Sequence, residues 1–335
     1  MKLLVVTQAA DLDHPILGFF HRWLEEFVAQ GTELTVIAQQ VGRTTVDATI
    51  LSLNKEKGAG KAAQILRFWR LIITQRKDYD AVLVHMTPIW VVLGWPVWMV
   101  LGKRVFLWYE VRRGGRLLKL AERLCTRIYS ATPEGMPWPS SKQEVVGHGI
   151  DTQQFAPAGA RDKNLCATVG RVTPIKHLPQ VVEAFAALPS SMKLRIVGDA
   201  FTDADRREKE AVLALADRLG ARDRIEMGFL PHHELPALLA RTTLFLHASR
   251  GGLDKALLEA MACGCLVVTT SEAAAMLLPE ACRADPNTLG GIALALLTLS
   301  EPEHEALSAE LRRIVVERHG LPRLVTALLL SMARG

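Results

Sequence analysis

Short apolar runs of strand type recur along the chain, and each is followed by a stretch whose apolar residues fall at helical spacing. Residues 3–7 predict a strand, the amphipathic stretch 17–29 a helix and residues 34–38 a second strand, the βαβ order of a parallel sheet covered on both faces. The series continues with a helix over 62–74, a buried strand over 80–86, a strand over 104–109, a helix over 117–127 and a strand over 128–131. A polar, weakly patterned stretch at 151–163 predicts a linker. A second series then opens at 165–169 and runs through strands at 193–197, 224–227, 242–247 and 266–269, and residues 322–333 predict a terminal amphipathic helix. There is no short repeat, low-complexity tract or heptad run. The pattern predicts an α/β protein of two Rossmann-like domains facing each other across a cleft: 1–150, 151–320, and a terminal helix at 321–335 that crosses back to the first.

One segment departs from the alternation. Residues 87–102 carry no charge, hold Trp90, Trp95 and Trp98, and are followed by Lys103 and Arg104. A spanning helix needs about 20 apolar residues, and Gly94 and Pro96 interrupt this one, so it predicts a buried helix of an α/β layer. The tryptophans leave an interfacial helix as the alternative. The 335 residues suit two domains, and 49% apolar with 22% charged residues excludes a disordered chain. A formal charge of +5 favours anionic partners such as nucleotides or anionic lipid heads. Five cysteines without zinc-site spacing predict buried, reduced thiols. The start of the chain reads as a first strand and not a signal peptide, which predicts a cytoplasmic protein, at the inner face of the membrane if it is peripheral.

Candidate chemistry concentrates where strands feed helices. The strand at 242–247 passes through Gly251, Gly252, Leu253, Asp254 and Lys255 into a strong helix former that carries Glu259. Free N–H groups at such a helix start suit a phosphate or carboxylate. In the loop after the 165–169 strand, Gly170 is followed by Arg171 and Lys176, two cations suited to a diphosphate and to the charge that grows on it as a leaving group. In the first half, Asp11, Asp13 and His14 read as turn and cap residues before metal ligands. His85 closes a buried strand where it faces the binding edge. The glycine fingerprint of nicotinamide folds is missing.

The stretch from Val169 through Gly170, Arg171, Pro174 and Lys176 belongs to a larger pattern with Ile196-Val197-Gly198-Asp199, Gly228-Phe229-Leu230-Pro231 and Ser249 to Gly264. Together these resemble the C-terminal half of family 4 (group 1) retaining glycosyltransferases of GT-B fold; the first half is similar more loosely, through Leu17-Gly18, Trp108-Tyr109 and Gly147 to Asp151. The resemblance implies a hexosyltransferase that uses a UDP-, GDP- or ADP-linked sugar, needs no metal or other cofactor, and acts on a glycan or lipid-linked hydroxyl in cell-surface polysaccharide or glycolipid synthesis. It implies catalytic roles for Arg171 and Lys176, which also bind the diphosphate. Donor contacts are implied at Gly170, Gly198, Phe229, Leu230, Gly251, Gly252, Leu253, Asp254, Lys255 and Glu259, the last on the ribose. Asp13, Gly18, His85, Glu110 and Arg112 are the acceptor-side candidates. Arg112, Arg113 and Arg116 near the tryptophan-rich segment predict peripheral membrane contact, and nothing beyond net charge points to nucleic acid.

Two departures qualify the likeness. The family's first glutamate of a spaced pair falls on Gly251, and a histidine common after the 104–109 strand is replaced by Glu110, Val111 and Arg112. They leave a catalytically degraded GT-B protein that binds nucleotide, glycan or a partner enzyme as the alternative reading.

Overall fold

The computed structural model describes residues 1–250 and 252–334, and Gly251 lies outside the described residues. The chain folds as two compact units, Met1–Gly149 joined by the terminal segment from Leu321, and Ile150–Gly320.

The first unit runs β1 (Lys2–Ala10), α1 (Gly18–Ala29), β2 (Glu33–Val41), β3 (Thr49–Ser52), α2 (Lys61–Thr74), β4 (Ala81–His85), α3 (Pro88–Val100), β5 (Arg104–Trp108), α4 (Arg116–Leu124), β6 (Arg127–Ser130) and β7 (Gln143–Val145). Its seven strands are ordered β3-β2-β1-β4-β5-β6-β7 and every neighbouring pair is parallel. A parallel sheet covered by helices on both faces buries both sides of its central strands, and all five residues of β4 are buried. The short strands β3 and β7 add edges that the apolar pattern does not announce, because their residues are mostly half-exposed.

In the second unit the order is β8 (Asp162–Val169), α5 (Leu178–Ala186), β9 (Lys193–Val197), α6 (Asp203–Arg218), β10 (Ile225–Gly228), α7 (Leu235–Arg241), β11 (Thr242–His247), α8 (Lys255–Ala262), β12 (Leu266–Thr269), α9 (Glu272–Ala275), α10 (Leu289–Leu297) and α11 (Glu301–His319). Its five parallel strands are ordered β10-β9-β8-β11-β12. Both sheets are doubly wound, so strand order reverses once in each, between β1 and β4 and between β8 and β11. Ligands of such sheets bind beyond the strand C-termini at that reversal.

The terminal helix α12 (Leu321–Arg334) belongs to the first unit. It buries Leu324, Val325, Leu328 and Met332 in the same core as Trp23 and Leu24 of α1. Gly149 has φ +67° and a Cβ there would stand 2.4 Å from Leu324, so only glycine passes beneath the helix.

The expected linker at 151–163 is not one. Phe155 is buried in the core of the second unit, and Arg312 of α11 donates to the carbonyls of Phe155, Thr152 and Ala262. A polar composition hid this, since the partner that fixes the segment lies about 160 residues away in sequence.

The apolar segment at 87–102 forms α3, which buries Trp90, Val91, Gly94 and Trp98 and leaves Ile89, Met99 and Val100 exposed. Gly94 gives the Trp98 ring its space, for a Cβ would lie 2.3 Å from it. Among the described residues, no helix is long and apolar enough to cross a membrane. All five cysteines are free and buried.

Candidate functional site

The reversal of strand order in the second unit brings the loop after β8 beside the loop after β11. Gly170 begins the first of these with φ +149°, and a Cβ there would stand 2.8 Å from the Lys176 side chain. Its carbonyl oxygen also lies 1.9 Å from where a Cβ on Gly198 would be. Both glycines are therefore required by close approach of backbone and side chain, and Gly198 N–H donates to the Gly228 carbonyl, linking the edge of β9 to β10. Lys176 folds back over this turn, and its ammonium donates to the carboxylate of Asp254.

Asp254 caps α8, its Oδ1 accepting from Ala256 N–H at 3.3 Å. The same carboxylate faces His247 Nε2 at 3.3 Å, and His247 Nδ1 lies 2.7 Å from Thr269 Oγ1. Thr269 Oγ1 accepts from Ser271 N–H, and Asp254, which as a carboxylate only accepts, calls for a donor at His247 Nε2 and leaves Nδ1 to accept the Thr269 hydroxyl proton. That assignment puts the ring proton on Nε2, facing Asp254. A connected series of Thr269, His247, Asp254 and Lys176 results, with His247 and Thr269 almost wholly buried. Burial opposes the Asp254 charge, but Lys176 and His247 beside it hold its carboxyl well below the usual range.

Glu259 sits one turn into α8, buried, with Oε1 2.9 Å from His232 Nε2. His232 opens a 3-10 turn directly after Gly228-Phe229-Leu230-Pro231, so that loop is tied to the helix carboxylate. Lys255 opens α8; burial lowers its ammonium to about 7, with Glu259 acting in the opposite direction. Phe229 is exposed and Leu230 packs on the core. Leu253 is a core residue. Gly252 is half-buried in the bend before it, and Gly251, a donor candidate from sequence, lies outside the described residues. Arg171 is exposed.

The structure thus brings together Gly170, Lys176, Gly198, Asp254, Lys255 and Glu259. Sequence reasoning missed His247, Thr269 and His232. The signal for His247 was present: a polar residue closing an apolar strand at its C-terminal end.

The first unit treats its candidates differently. Asp13 forms a two-pronged pair with Arg43 on the surface, and Asp11 accepts from Asp13 N–H and Arg43 N–H. The ring of His14 accepts from Ile16 and Leu17 N–H at the entry to α1. Gly18, the first residue of α1, is buried and donates to the His14 carbonyl. His85 is 1% exposed, stacked on Phe20 at 3.8 Å with Thr7 Oγ1 at 3.4 Å from its Nδ1. That places it inside the core and not on the open edge. Glu110 accepts from Ala131 N–H, Thr132 N–H and the Thr132 hydroxyl, and burial nonetheless pushes its carboxyl upward. Arg112 is exposed beside a groove formed by the loops after β5 and β6. In the second unit, Asp203 and Asp205 at the start of α6 are also engaged, Asp203 with Arg206 and Asp205 in a capping box with Thr202.

Two doubly wound units, each with one reversal of strand order, define the GT-B fold, and solved structures agree. The chain superposes on Anabaena HepE in complex with UDP with a TM-score of 0.78 at 15% identity, covering 100% of both chains. On sucrose-phosphate synthase of Thermosynechococcus elongatus the TM-score is 0.79 at 14% identity, covering 100% of this chain and 99% of that one. Residues 150–276, most of the second unit, match the family described as glycosyl transferases group 1. In Salmonella typhimurium LT2 a similar protein is WcaL, assigned as a colanic acid biosynthesis glycosyltransferase, 29% identical over 220 residues. That match covers 60% of this chain and 52% of WcaL, about half the relative's length.

Proposed function

We propose that this chain is a retaining, metal-independent family 4 hexosyltransferase that moves a sugar from a nucleoside diphosphate to a hydroxyl of a glycan or glycolipid. The observation that carries the reading is the meeting of Lys176, the start of α8 and the Glu259–His232 pair at one strand reversal, inside the segment that matches the group 1 family. A diphosphate entering between the β8 and β11 loops draws the Lys176 ammonium from Asp254, and the free N–H groups of α8 add to its binding. Glu259, held by His232, is aimed to accept from ribose hydroxyls. As the sugar bond breaks, charge grows on the departing diphosphate, where Lys176 and Arg171 stabilise it. The acceptor hydroxyl attacks from the face that the diphosphate leaves. HepE has been solved with UDP-glucose, which makes a UDP-sugar the first donor to try, and WcaL's assignment favours cell-surface polysaccharide synthesis.

Contact with a membrane is part of the reading. α4 carries Arg116, Lys119 and Arg123 with exposed Leu117 and Leu120, next to Arg112 and Arg113, while α3 exposes Met99 and Val100. Each cation near an anionic bilayer is worth about 1 kcal/mol, so association with anionic vesicles weakens with salt.

Calorimetric titration of UDP into the protein tests the donor site. Lys176→Ala is expected to weaken binding about 10- to 100-fold, the worth of one charge-assisted hydrogen bond. Unchanged affinity in both Lys176→Ala and Arg171→Ala would sink the assignment. The alternative, a GT-B protein that binds without turnover, draws on Gly251 at the family's glutamate position. Acceptor-dependent UDP release from UDP-glucose excludes it.

A further inference from the structure

The loops after β5 and β6 enclose a groove of about 500 Å³, lined by Met136, Pro137 and Trp138 and by Arg112, Glu134 and Gln143. It lies at the C-terminal edge of the first unit's sheet, away from the reversal between β1 and β4, and none of the interactions described above accounts for it.

Its walls are fixed before any ligand arrives. Glu110 braces the start of the β6 loop through three hydrogen bonds. Gly135 makes room for it, since a Cβ there would lie 2.3 Å from Glu110 Oε2. Val111 N–H donates to the Gly135 carbonyl, which joins the two loops. From below, the Gln143 amide donates to Ser130 Oγ and to the carbonyls of Thr132 and Pro133. Pro133, Pro137 and Pro139 restrict the backbone further. Trp138 is held through Nε1 to Glu122 at 2.7 Å, with the Lys119 ammonium 5.3 Å from its ring centre. A rigid groove loses little entropy on binding.

The lining has the chemistry of a sugar ring. Trp138 and Pro137, both part-exposed over the buried Met136, offer apolar surface to the C–H face of a pyranose. Arg112 and Glu134 are planar groups whose paired donors and paired acceptors match adjacent hydroxyls. With donors on Arg112 and acceptors on Glu134 beside an aromatic ring, the lining suits a polyhydroxyl ligand.

We infer that this groove is a saccharide subsite, and that it seats a sugar residue of the acceptor. The role as acceptor subsite rests on the transferase reading above; the binding of a sugar does not. The test follows the indole N–H resonance of Trp138, assigned by its loss in Trp138→Phe, while methyl glucoside, methyl galactoside and methyl glucuronide are titrated into the full chain without nucleotide. At least one of the three is expected to shift that resonance with millimolar affinity, and Arg112→Ala and Glu134→Gln, both surface changes, to weaken the shift at least tenfold. No shift with any of the three sugars, or a shift that both variants leave unaltered, overturns the inference. UDP affinity measured on the same samples separates the two readings: UDP binding with no sugar response removes the groove alone, whereas a sugar response without UDP binding removes the transferase reading and leaves the groove.

Discussion

The C-terminal edges of the two sheets are built from the same kinds of parts and use their charged residues in opposite ways. At the reversal in the second unit, Lys176, Asp254, His247, Glu259 and His232 pair with one another across different loops and helices. On the proposed reading, an entering diphosphate trades places with Asp254 at the Lys176 ammonium. In the first unit, Asp11, His14 and Glu110 bond to backbone N–H groups, and those bonds hold loops in shape. The difference begins with helix starts. α8 is capped by Asp254, which is itself an ion-pair partner, so the cap and the site share one carboxylate. α1 has no side-chain cap at Leu17, and the preceding loop is closed by the His14 ring instead. One architecture thus yields a network of side-chain charge pairs at one edge and a braced scaffold at the other, with a groove between the braced loops.

The sharpest way to break this contrast is at Gly198. A Cβ placed 1.9 Å from the Gly170 carbonyl has no flexible side chain to displace, so Gly198→Ala is expected to cost about 3 kcal/mol by overpacking. It should shift the turn that carries Lys176, and denaturant melts with UDP titration would show both losses. Retention of wild-type stability would mean that the β8 and β9 edges are not locked together.

The second prediction uses pH, where the two edges carry opposite signs. The Asp254 carboxyl is lowered from an ordinary 3.8, so its stabilisation is present above that value and is lost as pH falls. Asp254→Asn should remove about 2 kcal/mol at neutral pH and flatten the acid side of the stability curve. The Glu110 carboxyl is raised from an ordinary 4.5. Its contribution is complete below that value and declines as pH rises through the folded pKa, so Glu110→Gln should lessen the loss above about pH 5 by about 1 kcal/mol. Melting temperatures of both variants across the pH range test the signs, and equal slopes would erase the distinction between exchangeable pair and buried brace.

The smallest effect is expected at the surface. Arg43→Ala breaks a pair in which both side chains are about half exposed, and such pairs contribute little. The melting temperature should not move measurably, and UDP affinity should be unchanged. A drop in either would give the loop after β1 a part in ligand binding that its geometry does not show.

Much of the architecture is legible in the alternation of apolar runs. The strands at 193–197, 242–247 and 266–269 form with the bounds that the pattern predicts, because a parallel strand covered by helices on both faces buries a run of apolar residues such as Leu244, Phe245 and Leu246. β3 and β7 are not legible, since short, half-exposed edge strands carry no such constraint. The residues gathered at the second reversal, Lys176, Asp254 and Glu259, are all named by composition and spacing. Their partners are not: Lys176 meets Asp254 across 78 residues, and His232 meets Glu259 across 27.

The sequence by itself determined that the chain is a two-fold α/β series, and which turns hold glycine and charge where strands feed helices. Those features are local, and backbone sterics with side-chain polarity decide them within a few residues. Only the tertiary structure decided that Asp254 neutralises Lys176, that His85 is a stacked core ring, that Glu110 is a brace and that the segment at 151–163 is anchored by Arg312. In each case the deciding partner comes from a distant part of the chain, and burial sets whether a charge is held, exchanged or suppressed.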